Sequence, residues 1–252
     1  MRFRDRTGKR VRFGGTMIDS WMKWMEALFL RSWEKRLPLV LLVAALGVVG
    51  GFFEFASEIR ERETEKFDKA VMMAMREPED LSNPVGASRV GEVARDLTAL
   101  GGVSVLSLVT LVAFGVAVFS GRAKLGWLGV SAVLAGSVAT SLLKHNYNRP
   151  RPSMFEHGSW VYNASFPSGH SMMSAVVYLT LGILVARIQP RRRVRWFIIS
   201  ISVMLTLLVG LSRIYLGVHW PTDVAGGWML GGAWAVMFWL VAMKVDPVRR
   251  EN

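Results

Sequence analysis

Long apolar runs restrict the fold of this 252-residue chain more than any other feature. A helix needs roughly 20 mostly apolar residues to cross the hydrocarbon core of a bilayer. Six runs reach that length, whereas a soluble helical protein seldom needs so many uniformly apolar helices. We therefore predict an all-α integral membrane protein, built as a six-helix bundle. The predicted spans are 37–56, 100–119, 124–143, 168–188, 196–216 and 223–243.

Basic residues are concentrated in segments that six alternating spans would place on one side. These segments are the N-terminus, the loops after the second and fourth spans, and the C-terminal tail, and they hold most of the Lys and Arg residues behind the net charge of +12. Basic loops remain cytoplasmic, so we predict that both termini are cytoplasmic. This placement favours contact with anionic lipid headgroups, and we expect no nucleic-acid partner.

The N-terminal segment, residues 1–36, precedes the predicted membrane domain, residues 37–252. Apolar residues within 17–29 share one helical face, which predicts an amphipathic helix on the inner leaflet. A cytoplasmic extension of the first span would explain the same pattern. A cleavable signal peptide has its apolar stretch directly after a short basic start. Here the first apolar run begins only near Leu37, so we expect no cleavage.

The first predicted outer segment, 57–99, mixes acidic and basic residues. Its pattern predicts a solvated helix from about 58 to 77, ended by Pro78, and a turn at 82–86. Four apolar side chains of that helix could face the membrane surface: Phe67, Val71, Met72 and Met75.

Ionisable residues gather where the last four spans meet the predicted outer side. Such groups are costly at a membrane and are usually functional. If the helices form a bundle, these residues can converge on one pocket. They are the four histidines His145, His157, His170 and His219, together with Lys144, Arg151, Arg213 and Asp223.

The composition of this pocket suits a phosphate group. Lys144, Arg151 and Arg213 supply cations, and the planar fork of arginine matches phosphate oxygens. Ser168, Gly169 and His170 begin a helix, whose first N–H groups point at a bound anion. Gly169 has no side chain, so an oxyanion can approach its backbone closely.

His219 and Asp223 are four residues apart. A carboxylate bonded to one imidazole nitrogen fixes the tautomer and leaves the other nitrogen free to attack. His219 could then be the nucleophile of phosphoryl transfer, with His170 as the general acid. Each residue alone has an ordinary explanation, such as a helix cap for Ser168. Their joint occurrence on one side favours a site.

These residues also form a three-part signature, and the sequence resembles the type 2 phosphatidic acid phosphatase family of lipid phosphate phosphatases. That family shares its signature with vanadium haloperoxidases, class A acid phosphatases and glucose-6-phosphatase. The parts read Lys144-HNYNRP-Arg151-Pro152, Pro167-Ser168-Gly169-His170 and Ser212-Arg213-IYLGV-His219-WPT-Asp223. Every signature position matches, and the resemblance is strongest across 144–223.

The resemblance implies a six-helix membrane fold and a phosphohistidine intermediate on His219, activated by Asp223. It implies that His170 is the acid and that phosphate is held by Lys144, Arg151, Ser168, Gly169 and Arg213. It implies neither a metal nor another cofactor. In agreement, the pocket offers only Asp223 and Glu156 as carboxylates, too few for a two-metal site. His145, His157 and Arg149 lie outside the signature, and we interpret them as loop residues that shape headgroup choice.

The leading hypothesis is a membrane phosphatase that hydrolyses a lipid phosphate or isoprenoid diphosphate at the outer leaflet. We expect a bacterial inner membrane, with the site facing the periplasm or exterior. The alternatives are phosphate transfer between lipids, hydrolysis of a soluble ester, and a non-enzymatic lipid-binding or transport protein. No motif selects among phosphatidic acid, phosphatidylglycerol phosphate, undecaprenyl diphosphate, lipid A phosphate and sphingoid phosphates, or indicates the oligomeric state.

Overall fold

The computed structural model describes residues 17–86, 88–153 and 164–247, with backbone alone for 17–35. The chain divides into two compact units, 1–41 and 42–252, and all site residues belong to the second. A short hairpin pairs β1 (Arg76–Glu77) with β2 (Asp80–Pro84). The helices are α1 (Met17–Arg60), α2 (Glu65–Met73), α3 (Ser88–Ala99), α4 (Val103–Phe119), α5 (Ala123–Tyr147), α6 (Gly169–Ser174), α7 (Thr180–Ile188), α8 (Arg192–Tyr215) and α9 (Pro221–Val245).

The helices make this a multi-pass membrane protein. Among the described residues, five helical segments are long and apolar enough to cross a bilayer: Arg36–Arg60 of α1, α5, α6 with α7, α8 and α9. A sixth is present if α3 and α4, which meet at an angle of 50°, form one broken span. The prediction of six spans therefore depends on this bent pair, which breaks at Gly101 and Gly102. Many large apolar side chains face outward, such as Leu111 and Phe119 on α4 and Phe197 on α8.

The predicted amphipathic helix, 17–29, and the predicted first span are parts of the same helix, α1. The structure therefore shows one continuous helix, which is the arrangement expected if 17–29 extends the first span. Its position on the inner leaflet stays a prediction, because the side chains of 17–29 lie outside the described ones.

The predicted helix from 58 to 77 is present only in part, because it is interrupted at 61–64 and ends at Met73. Helix α1 ends at Arg60, Arg62 adopts a positive φ of 65°, and α2 covers only Glu65–Met73. The predicted turn at 82–86 is also wrong for its first three residues, which belong to β2. The Asp80 carboxylate accepts hydrogen bonds from Ser82 N–H, at 3.0 Å, and from the Asn83 amide, at 2.8 Å, and so supports a hairpin that the propensities did not indicate.

The segment 57–99 is not simply a solvated face. Asp68 and Arg76 are buried, and Arg76 Nη1 donates to the carbonyl of Tyr215 at the end of α8, at 3.0 Å. Met72 is buried against Ile214 and Val224, so it does not face a membrane surface, and the partly buried Val71 and Met75 pack against this cluster. Of the four apolar residues predicted there, only Phe67 is exposed.

The span formed by α6 and α7 is the central helix of the fold. A π-helical turn, Ala175–Leu179, joins its two parts. Its most apolar stretch is 67 % buried, against 39 % or less in the other candidate single-helix spans. Helix α9 approaches it through two glycines: a Cβ on Gly227 would lie 2.9 Å from the Ser168 carbonyl, and one on Gly231 2.4 Å from the Ala175 Cβ. This close contact lets Ser168 N–H donate to the carbonyl of Asp223, at 2.9 Å.

Candidate active site

The structure brings the residues of the three signature parts together. His170 lies within electrostatic reach of His219, Lys144, Arg151 and Arg213, which belong to the other two signature parts. Backbone contact between α6 and α9 fixes Ser168 beside Asp223. The convergence expected from the sequence is therefore present in the fold.

His219 lies in the short turn between α8 and α9, and Asp223 lies in the first turn of α9. His219 Nδ1 is 3.4 Å from Asp223 Oδ2, and its Nε2 is 3.2 Å from Arg151 Nη1. The same Oδ2 accepts the Trp220 N–H, at 2.9 Å, and the hydroxyl of Ser165. Asp223 thus both caps α9 and faces one nitrogen of the imidazole, while the other nitrogen points towards the cations.

Burial lowers the pKa of His219 to about 4. The Asp223 carboxylate opposes this shift, because it favours the imidazolium, whereas the charge of Arg151 adds to it. The net result is an imidazole that is neutral at physiological pH. A neutral imidazole carries a lone pair on one nitrogen, which is the form required of a nucleophile.

Two arginines flank the imidazole. Arg151 Nη1 donates to the carbonyl of Val218, at 2.6 Å, and although burial lowers its pKa, a guanidinium stays charged in proteins. Arg213, at the end of α8, is 9 % exposed, and its Nη1 donates to Thr98 on α3, at 2.9 Å. Among the described residues, the Nε of Arg213 is one of the few buried polar atoms that lack a hydrogen-bond partner.

Lys144, in the last turn of α5, lies against Gly169. A Cβ placed on Gly169 would be 3.1 Å from Cε and 3.2 Å from Nζ of Lys144. The absence of a side chain at Gly169 therefore lets an ammonium group approach the start of α6. This arrangement puts a positive charge beside helix-start N–H groups, which is the environment that anions prefer.

Ser168 acts as the N-cap of α6. Its Oγ accepts from the Ser171 hydroxyl, at 3.0 Å, and from Ser171 N–H, at 3.5 Å. Its own N–H is already bonded to Asp223. His170 follows on the same turn, partly exposed, and packs against Gly101, where a Cβ would lie 3.1 Å from the His170 Cδ2.

Sequence reasoning missed four residues around this pocket. Arg149, interpreted as a loop residue that shapes headgroup choice, donates to Asp223 Oδ1 at 2.6 Å. The Ser165 hydroxyl donates to the same carboxylate. The Thr222 hydroxyl and the Asp68 carboxylate, the latter on α2, both accept hydrogen bonds from Arg149. Arg149, Ser165 and Thr222 lie within a few residues of the signature in the chain, and this proximity could have pointed to them. No spacing pattern connects Asp68 with the site.

The other ionisable residues have ordinary positions or lie outside the described ones. His145, interpreted from the sequence as a loop residue, is instead an exposed residue in the last turn of α5, whereas Glu156 and His157 fall in the undescribed range 154–163. Among the described residues, no three His, Cys, Asp or Glu side chains group as a metal site would require.

A cavity of about 480 Å³ opens beside Arg151. Basic and aromatic side chains dominate its wall, so it can admit an anionic headgroup. They are Arg60, Arg62, Lys69, Tyr147, Arg149, Arg151, Phe166 and Trp220, and the wall also contains one acid, Glu65. A second cavity, of about 290 Å³ between α4 and α5, is lined mainly by apolar side chains and by none of the predicted site residues.

Comparison with known proteins agrees with this geometry. A sequence profile of the PAP2 superfamily matches residues 124–246. The chain is 34 % identical over 167 residues to phosphatidylglycerophosphatase B of Bacillus subtilis (strain 168), a match that covers 64 % of this chain and 78 % of that protein. It is 27 % identical over 138 residues to an undecaprenyl-diphosphatase of Sulfolobus acidocaldarius, covering 53 % of this chain and 62 % of that one.

A solved structure supports the same assignment. The crystal structure of a transmembrane PAP2-type phosphatidylglycerolphosphate phosphatase from Bacillus subtilis superimposes with a TM-score of 0.68 and 26 % identity, covering 82 % of this chain and 98 % of that chain. The relatives are named as phosphatases, and this chain is likewise a hydrolase of phosphoric ester bonds. With both the fold and most of a relative's length matched, the chain belongs to the PAP2 superfamily.

Proposed function

We propose that this protein is a metal-independent lipid phosphatase that works through a phosphohistidine on His219. The observation that carries the proposal is the orientation of the His219 ring. Nδ1 faces a buried carboxylate at 3.4 Å, and Nε2 faces the cationic pocket, 3.2 Å from Arg151. A neutral imidazole in that orientation is prepared to attack a phosphorus atom held by the cations.

The phosphate is bound by Lys144, Arg151 and Arg213, with the N–H groups at the start of α6. The unpaired Nε of Arg213 gives that side chain a donor for a phosphate oxygen. The Ser168 hydroxyl is a further donor for the phosphate. Phosphoryl transfer depends mainly on positioning and on neutralising the equatorial oxygens, which these donors provide.

In the first step, His219 Nε2 forms a bond to phosphorus while the bond to the lipid oxygen breaks. The electron pair leaves with that oxygen, and His170, which becomes protonated when the anionic substrate phosphate binds beside it, donates its proton to that oxygen. The His219 ring becomes a cation, which the Asp223 carboxylate stabilises through Nδ1–H.

In the second step, a water molecule attacks the phosphorus of the phosphohistidine. His170, now neutral, accepts the water proton, and the bond between phosphorus and Nε2 breaks. Inorganic phosphate is released, and His219 regains its lone pair. Each group then has the protonation state with which the cycle began.

The location of the pocket supports a lipid substrate. Its residues lie at the ends of apolar spans, so a lipid tail can remain in the bilayer while its phosphate enters. The names of the relatives include phosphatases of phosphatidylglycerophosphate and of undecaprenyl diphosphate. The basic loops support a cytoplasmic-membrane location with the pocket on the outer face.

The experiment is phosphate release by the purified protein in detergent, with EDTA, across a panel of lipid phosphates, a lipid diphosphate and a soluble ester. We expect EDTA-resistant release from a lipid, with loss of activity in His219→Ala. The matched control is His145→Ala, because His145 is an exposed histidine outside the signature. Unchanged release by His219→Ala would contradict the mechanism, and release from the soluble ester alone would contradict the lipid substrate.

A further inference from the structure

Asp68 is a fully buried carboxylate in α2, and α2 lies outside the part of the chain matched by the family profile. Burial of an ionised carboxylate is costly unless the group is paired and hydrogen-bonded. All three described partner groups of Asp68 belong to residues beside the catalytic pair. The mechanism above does not use this residue, so its position requires another explanation.

The contacts of Asp68 are directed at two residues. Its Oδ1 accepts the Thr222 N–H, at 3.0 Å, and its Oδ2 accepts the Thr222 hydroxyl and Arg149 Nη2, both at 2.7 Å. Thr222 precedes Asp223 in the chain, at the start of α9. One carboxylate therefore holds both the backbone next to Asp223 and the arginine that contacts Asp223.

Arg149 connects the two buried carboxylates. Nη2 binds Asp68, whereas Nη1 donates to Asp223 Oδ1, at 2.6 Å, and to the Thr222 hydroxyl, at 2.8 Å. The guanidinium also lies 5.5 Å from the centre of the Trp220 ring. Because the fork is rigid and planar, the position of one nitrogen restricts the position of the other.

In this arrangement the two oxygens of Asp223 have different partners. Arg149 occupies Oδ1, which leaves Oδ2 for Ser165, Trp220 and His219 Nδ1. Without Asp68, both nitrogens of the fork could bind Asp223 in a bidentate pair, as Arg and carboxylate commonly do. Asp223 would then turn away from His219.

We propose that Asp68 is a positioning residue for the nucleophile, acting through Arg149 on Asp223 and His219. This inference rests on the proposed function of His219. It makes α2, a segment of the outer loop, part of the active-site structure. Removing the charge of Asp68 should impair the chemical step and leave binding of the phosphate by Lys144, Arg151 and Arg213 largely intact.

The test is a double-mutant cycle on the full-length protein in detergent, with Asp68→Asn, Arg149→Gln and both together. Loss of a partner that orients a ligating or catalytic group typically costs about 10–100-fold in activity. We expect a loss of that size in kcat for Asp68→Asn, with KM changed less than about threefold. In the Arg149→Gln background, Asp68→Asn should have little further effect, because Asp68 acts through Arg149.

The control is Glu63→Gln, an isosteric change at an exposed acid near α2, which should leave kcat unchanged. If Asp68→Asn does not fold, Asp68→Glu gives the same test, since it keeps the charge but displaces the carboxylate from Arg149. If the double variant loses kcat by the product of the two single losses, the two residues act independently. That result would overturn the inference, whereas the proposed function would stand. A wild type that releases no phosphate from any substrate would overturn both.

Discussion

His219 is 1 % exposed, and its burial lowers its pKa to about 4 although Asp223 lies nearby. In the unfolded chain a histidine has a pKa near 6.5. As the pH falls, the unfolded chain therefore binds this proton first. The stability contributed by neutral His219 is complete above about pH 6.5 and is lost as the pH falls towards 4.

The first prediction concerns this titration. In protein labelled with 15N-histidine, the ring signals of His219 should keep the neutral pattern until the pH approaches about 4. Spectra of the His219→Gln variant assign the signals by their absence. A midpoint close to 6.5, the value of an unperturbed histidine, would contradict the burial argument.

The second prediction concerns Gly169, where a methyl group would lie 3.1 Å from Lys144 Cε. Gly169→Ala should displace the Lys144 amine and obstruct an oxyanion at the start of α6. We expect kcat/KM to fall by about tenfold or more, the equivalent of one lost charge-assisted hydrogen bond. Gly91→Ala is the matched control, because a Cβ there has nothing within 4 Å. Equal activities of both variants would contradict anion binding at the start of α6.

At the residue level, the sequence predicted the members of the pocket but not the network around them. Lys144, Ser168 and His219 could be placed together from the sequence because each of them lies next to the end or the start of a predicted span. Asp68 could not be predicted in this way. Its contact with Arg149 joins residues 81 positions apart and depends on how α2 folds back onto α8 and α9.

Among the elements, α6 and α9 have the contact on which the site geometry depends. Gly227 allows the backbones to approach so closely that a Cβ would lie 2.9 Å from both Met172 N and Ser168 O. The result is the hydrogen bond from Ser168 N–H to the Asp223 carbonyl. Small residues serve this purpose generally where membrane helices pack closely.

The third prediction tests this contact. Gly227→Ala should force the two backbones apart and destabilise the fold by about 1–3 kcal/mol, as overpacking typically does. Gly232→Ala, on the same helix, has nothing within 4 Å of the added Cβ and should be close to neutral. Thermal unfolding in detergent, followed by circular dichroism, compares the two. Similar midpoints for both variants would show that the close contact is not required.

Long apolar elements were predictable, and short polar ones were not. The spans α5, α8 and α9 lie within a few residues of their predicted bounds because hydropathy alone marks them. The segment 57–99 lacks such a signal, so a turn at Arg62 and a hairpin at 76–84 were missed. Its buried charges are stabilised by tertiary partners, which local sequence does not reveal.

For the whole molecule, the cluster of ionisable residues at one end of the spans requires a defined orientation in the membrane. The chain has no cysteine, so a single introduced thiol can be labelled without background. Ser153 lies in the loop after α5, near the pocket, and Ser120 lies in the loop between α4 and α5. Both are exposed, and Ser→Cys changes little in size.

The fourth prediction uses this pair. A membrane-impermeant maleimide added to intact cells should label Ser153→Cys, whereas Ser120→Cys should react only after the membrane is opened. This outcome follows from the basic loops that we place in the cytoplasm. Labelling of both variants from outside, or of Ser120→Cys alone, would contradict the outer-face location.

The central claim, a covalent phosphohistidine on His219, can be tested by trapping the intermediate. The protein is mixed with a substrate carrying 32P in its terminal phosphate and quenched rapidly in alkali, in which phosphohistidine survives. The account predicts label on the wild-type chain, acid-labile and mapped to the peptide that contains His219, with none on His219→Gln. Rapid phosphate release by the wild type, with no labelled chain at any quench time and the same activity in His219→Gln, would contradict it.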